Sequence, residues 1–264
     1  MSKERFPWRV FLVLLALGLL GMMAIIPIGL ELIQSISGKL PAPTGPFADM
    51  PVRWIILIGA VQNILLLALM ILAGLWLAGK IGTGAPVIEG WLRGESIWPR
   101  LRQTLVSGML AGAPVGVILA IALLLLQSRL PNLPFTLVAR IAVWKRFLAC
   151  FYGGIYEELL TRLFLLSLFA WLISRFNRKG DRRATIGALW TANILTAILF
   201  GLGHLPSTSF FMPITPLVVT AALTLNGIAG ITFGYLYFKR GLEAAMLAHF
   251  TADFIVYVVA ASFA

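Results

Sequence analysis

Histidine, cysteine and acidic residues are scarce in this chain. Its 264 residues include two histidines, one cysteine and ten acids, against 21 lysines and arginines. A single thiol, Cys150, excludes an internal disulfide framework and any cysteine-rich zinc site; its apolar surroundings suit packing. No long polar stretch is present. The longest polar segments are 31–53 and 80–103, too short for a soluble domain. No internal repeat is visible, which argues against an inverted-repeat transporter whose glutamate and histidine relay protons. No serine or cysteine is spaced with a histidine as a nucleophile would need, so covalent catalysis has no candidate. The HExxH zinc motif is also missing.

What the chain does have is apolar sequence. Hydrophobic residues make up 60% and the mean hydropathy is +0.95, far outside the soluble range. Several runs reach the roughly 20 residues that cross a bilayer. They predict an all-α, polytopic transmembrane bundle with seven spans, at about 8–30, 54–79, 104–127, 143–174, 185–204, 216–238 and 242–262. An eighth, short or re-entrant piece fits near 131–142, where Pro131 and Pro134 argue against a full span. The first span is longer than a signal-peptide core and lacks a small-residue cleavage site, so it reads as a retained anchor. The expected location is the cell membrane, as a multi-pass protein.

The basic residues set an orientation. With the N-terminus inside, inner segments carry fourteen of them, among them Lys80, Arg93, Arg178, Lys179, Arg182, Arg183, Lys239 and Arg240. Outer segments carry six, four of them (Arg129, Arg140, Lys145 and Arg146) around 128–146. The C-terminus is then outside. The net charge of +11 is spread over short loops. It suits lipid headgroups and offers no groove for nucleic acid. Segment 41–46 is a Pro/Gly-rich outer connector. Trp91, Arg93, Trp98, Pro99, Arg100 and Arg102 suit a helix lying in the membrane interface.

Polar residues are unevenly distributed. Residues 1–130 read as scaffold spans. Residues 131–264 hold Glu157, Glu158, Arg162, Asn193, His204, Asn226, His249 and Asp253 and read as the functional core. Three patterns stand out: Glu157-Glu158-Leu-Leu-Thr-Arg162, Phe200-Gly-Leu-Gly-His204 and His249-Phe-Thr-Ala-Asp253. Glu158 and Arg162 have the better orientation for an i,i+4 ion pair. Glu157 lies about 100° away around the helix and is left free. His249 with Asp253, and Phe200 with His204, each share one helix face.

Any one of these groups has a packing explanation, as a structural ion pair or a bridge between helices. Together they burden the fold. Each charge near the bilayer centre costs roughly 2.5–3.5 kcal/mol on insertion scales, whereas Ser, Thr or Gly would pack at far lower cost. A functional cluster is the better account. A carboxylate with a histidine can hold a water molecule and take its proton. A second histidine with a polar partner can face an oxyanion. This combination describes water-mediated amide hydrolysis.

In their order and spacing the three patterns resemble the CPBP family of intramembrane proteases, which includes the CAAX prenyl endopeptidases and bacterial Abi-type proteins. The family shows EExxxR, then FxxxH, then HxxxN or HxxxD, on successive helices. The resemblance covers about residues 145–260. It implies an intramembrane endopeptidase with Glu157 as general base and His204 as its partner on the attacking water. It implies His249 and Asp253 as the oxyanion site, with Glu158, Arg162 and Phe200 in support and no cofactor. The substrate would be a peptide or lipidated protein in the bilayer. Asp253 stands where the prenyl endopeptidases resemble one another in having Asn. A bare carboxylate there would repel an oxyanion, so Asp253 must be protonated or act through His249, and the departure favours the bacterial branch. Two alternatives use the same residues: a zinc metalloprotease with Glu157, His204, His249 and Asp253 as ligands, and a non-catalytic immunity or scaffold protein. Straight helices would hold His204 and His249 at different depths. The patterns therefore predict tilted or broken spans, with breaks at Gly153-Gly154 or around Gly201 and Gly203.

Overall fold

The computed structural model describes residues 6–36, 50–130, 133–176 and 184–264. The expected connector at 41–46, Pro131, and the basic residues Lys3, Arg5, Lys39, Arg178, Lys179, Arg182 and Arg183 lie outside the described residues. Within them every regular element is helical. Six helical stretches are long and apolar enough to cross a membrane: Trp8–Ser35, Arg53–Ile81, Trp98–Leu126, Ile186–Thr208, Pro216–Arg240 and Leu242–Ser262. The protein is a polytopic helical bundle. Large apolar side chains such as Leu20, Ile56, Leu69, Leu110 and Leu125 are more than half exposed, a surface that suits lipid rather than water.

The first span is bent. Helix α1 (Trp8–Ala24) turns at Ile25 and continues as α2 (Ile26–Ile36), because Pro27 cannot donate into the preceding turn. Helices α3 (Val52–Ile81) and α5 (Trp98–Leu126) flank the short α4 (Pro86–Leu92). Trp91 and Trp98 are exposed beside Arg93 and Arg100, which bind Glu95 at 2.6 and 3.0 Å. The hydrogen bond from Arg93 holds the Glu95 carboxyl below its ordinary range. The piece near 131–142 is the six-residue α6 (Pro134–Ala139).

Residues 143–176 form one helical rod that changes winding twice. Helix α7 (Val143–Phe151) leads into π-helical segments Tyr152–Glu157 and Leu159–Leu166, then α8 (Ser167–Phe176). This is the expected span at 143–174. It is absent from the six apolar spans because it carries Glu157, Glu158 and Arg162. The wider winding begins at Gly153-Gly154, where the sequence predicts a break, and π segments often mark functional positions. Helices α9 (Ile186–Gly203), α10 (Leu205–Thr208), α11 (Pro216–Arg240) and α12 (Leu242–Asp253) follow. A further π segment, Phe254–Val259, and a final turn, Ala260–Ser262, end the chain. Thr185 and Thr215 cap α9 and α11, each hydroxyl accepting from an otherwise unpaired backbone N–H.

The rod lies at the centre. Helices α1 and α3 pack against its π segments from one side, and α9, α11 and α12 from the other. Their shared core includes Leu14, Leu67, Ile71, Leu159, Leu163, Phe233 and Ala248. Buried Arg146 donates to the Tyr257 carbonyl at 3.0 Å and to Ser262 Oγ at 3.2 Å, fastening the last turns to α7. Helix α5 presses on α12 through Gly108, Gly112 and Gly116, a four-residue repeat of small residues typical of close membrane helix pairs. A methyl carbon at Gly108 would lie 2.9 Å from the Leu247 side chain, and one at Gly112 would strike the Ala248 carbonyl.

This contact makes a prediction. Gly112→Ala should lower Tm, since overpacking costs about 1–3 kcal/mol. Gly227→Ala, on α11 with open space around the glycine, should leave Tm unchanged. Thermal unfolding in detergent reads both, and equal Tm values for the two variants would contradict the packing described.

Candidate active site

Three helices bring the ionisable residues together. The rod supplies Glu157, Glu158 and Arg162, α9 supplies Phe200, and α12 supplies His249 and Asp253. Glu158 and Arg162 are fully buried, with Arg162 Nε 3.3 Å from Glu158 Oε2. The expected i,i+4 pair therefore forms despite the π winding. It is an electrostatic contact rather than an aligned hydrogen bond, since neither atom has a hydrogen-bond partner. The rest of the guanidinium is satisfied. Nη1 donates to Thr161 Oγ1 and Nη2 to the Gly230 carbonyl at 3.2 Å. The rings of Phe200 and Phe233 lie 5.4 and 5.8 Å from its central carbon, within cation–π range.

Glu158 has a second partner. Its Oε1 accepts from His249 Nδ1 at 2.7 Å. An ionised carboxylate only accepts, so Nδ1 carries the proton. The ring is held further by Phe233, stacked on it at 4.8 Å, and by the edge of Phe200 at 5.9 Å. Its orientation is fixed, and Nε2 points away from Glu158. Nε2 lies 3.7 Å from Glu157 Oε2 and 3.7 Å from Asp253 Oδ2. Both distances are too long for a hydrogen bond. Nε2 is thus the atom of the ring that faces both carboxylates. Glu157 is the more accessible glutamate, its side chain 21% exposed against 0% for Glu158.

His204 stands at the edge of this group. It caps the end of α9, with Nδ1 2.7 Å from the Phe200 carbonyl and its ring edge-on to Phe200 at 4.7 Å. Phe200 and His204 share one face of α9, as their spacing predicts, and the Phe200 ring reaches His249 as well. Among the described residues His204 makes no ion pair with a carboxylate. Nor is any group of three or more His, Cys, Asp or Glu side chains arranged to hold a metal ion there.

The link from Glu158 to His249 was not visible in the sequence. The residues are 91 positions apart, and Glu158 already had a partner in Arg162. Thr161, Gly230 and Phe233 were likewise unmarked, since no local pattern distinguishes them from ordinary helix-packing residues.

Residues 139–255 match the family model described as Type II CAAX prenyl endopeptidase Rce1-like. The match covers less than half of the chain and supports a likeness of this segment to the CPBP/CAAX protease family. The match contains all three motifs and leaves out the first 138 residues. No curated protein and no solved structure matches the chain. The protein is a multi-pass membrane protein with a segment similar to type II CAAX prenyl endopeptidases.

The buried pair generates the next prediction. Removing one partner of a buried ion pair costs about 3–5 kcal/mol, because the other charge is stranded. Arg162→Ala should therefore lower Tm and membrane yield far more than Glu157→Gln, which alters a partly exposed carboxylate whose contact with His249 is long, at 3.7 Å. Matching Tm values for the two purified variants would refute the structural role of the pair.

Proposed function

We propose that this membrane protease hydrolyses a peptide bond by activating water between Glu157 and His204, without a metal. The observation that carries the proposal is the position of His249 Nε2. It is fixed from behind by Glu158 and lies equally far from Glu157 and Asp253. In this reading Glu157 takes a proton from the water, and the resulting hydroxide attacks the carbonyl carbon. His204 holds that water from the α9 side. The carbonyl oxygen becomes an oxyanion facing His249, whose doubly protonated ring presents Nε2–H to it. Asp253 acts through the imidazole rather than on the oxyanion. The proton on Glu157 then passes to the leaving nitrogen, the C–N bond breaks, and the products are a carboxylic acid and an amine.

The family match supports a prenylated protein or peptide end as the substrate class, delivered within the bilayer. Short apolar helices and aromatic side chains surround the site. Phe147, Phe151, Phe250 and Phe254 form a continuous aromatic cluster beside the rod, with ring centroids 4.9 to 6.5 Å apart. Such a surface suits an apolar chain.

The test uses purified protein in lipid nanodiscs, a farnesylated peptide ending in a CAAX sequence, and the same peptide without the lipid. Glu157→Gln, His204→Ala and His249→Ala should each reduce cleavage on the order of 10²–10⁴-fold, the usual contribution of acid–base catalysis, with helicity retained. Dialysis against a strong chelator should leave wild-type activity unchanged. Full activity in Glu157→Gln would remove the assignment. One zinc per chain, with activity lost on chelation and restored by zinc, would replace it with the metalloprotease. A wild-type protein inactive on both peptides would favour the scaffold reading.

A further inference from the structure

Gly153 faces His249 and Asp253 from the rod. It is buried one turn before Glu157, in the first π segment. A methyl carbon there would lie 2.9 Å from His249 Nε2 and would collide with Asp253 Oδ2. One of them, His249 Nε2, lies 3.7 Å from both Glu157 Oε2 and Asp253 Oδ2. Nothing from a neighbouring backbone is among the three closest groups at Gly153, apart from these side-chain ends. Gly154 differs. A methyl carbon there would lie 2.8 Å from Phe250 Cβ and 3.0 Å from the Met246 carbonyl, in the body of α12. One glycine faces functional atoms and the next faces helix packing.

We propose that Gly153 is a positioning residue of the hydrolytic centre: its missing side chain lets Asp253 Oδ2 and His249 Nε2 come up against the rod, one turn from Glu157. The inference rests on the functional reading above and adds a residue to it. His249 cannot give way to a methyl group, being held by Glu158 at Nδ1 and stacked on Phe233. Asp253 must swing aside instead. A side chain at 153 therefore leaves the helices in place and displaces the Asp253 carboxylate from beside His249 Nε2.

The experiment compares Gly153→Ala and Gly154→Ala in the full chain, in nanodiscs, with the farnesylated CAAX peptide as probe. The measurements are kcat, KM and Tm. Gly153→Ala should lower kcat about 100-fold, the scale of an ångström-sized misplacement at a reacting centre. Its KM should stay within about threefold and its Tm near wild type. Gly154→Ala should lower Tm and keep kcat per folded molecule. Wild-type kcat in Gly153→Ala overturns the proposal, as does a rise in KM with kcat unchanged. A Tm loss in Gly153→Ala as large as that of Gly154→Ala also overturns it, whatever the activity, because it makes the residue a packing contact. Lack of cleavage by wild type and Gly153→Ala alike contradicts the protease reading itself, a result separate from these.

Discussion

The structure depends on one buried chain of charge: Arg162 to Glu158 to His249. Glu158 is fully enclosed, and each of its oxygens faces a different partner, the guanidinium on one side and the imidazole on the other. Neither contact alone would justify a carboxylate at this depth, because desolvation of an ion can exceed its Coulombic return. Joined, they satisfy each other. Arg162 neutralises Glu158, and Glu158 orients His249. The same guanidinium ties the rod to α11 through the Gly230 carbonyl and is flanked by Phe200 of α9 and Phe233 of α11. The charge that stabilises the bundle also aims the imidazole.

Bringing the rod and α12 close enough for these contacts requires small residues and unusual winding. Gly153 and Gly154 let the rod approach α12, and the helix widens there into the π form. On the far face of α12, Gly108, Gly112 and Gly116 of α5 approach its backbone just as closely. The first half of the chain, apolar and without a chemical motif, supplies helices that pack against those carrying the ionisable residues. Helices α1 and α3 pack on the rod, and α5 packs on α12.

Much of this was legible in the sequence. The spans follow from hydropathy, and the Glu158–Arg162 pair from four-residue spacing. The edge-on contact of Phe200 with His204 follows from a shared helix face, and the widening at 152–166 from a glycine pair. The contacts that decide orientation were not legible. Glu158 reaches His249 across 91 residues, and helix periodicity cannot say which carboxylate on the rod meets which nitrogen on α12. The spacing of His249 and Asp253 suggested a direct pair, yet the imidazole nitrogen nearer Asp253 stays 3.7 Å away, while the other is taken by Glu158. Sequence also grouped His204 with the remaining residues. The fold sets its ring edge-on to Phe200, which in turn meets His249 edge-on, an arrangement that only the relative placement of α9 and α12 could reveal.

The most direct measurement uses the scarcity of histidine. Labelling with ¹⁵N-histidine yields signals from only two imidazole rings, and His249→Ala assigns them. The account predicts that His249 Nδ1 is protonated and that Glu158→Gln shifts its resonance while leaving His204 unmoved. A His249 whose Nδ1 is unprotonated, or whose signal is the same in wild type and Glu158→Gln, would contradict the charge chain on which the rest is built.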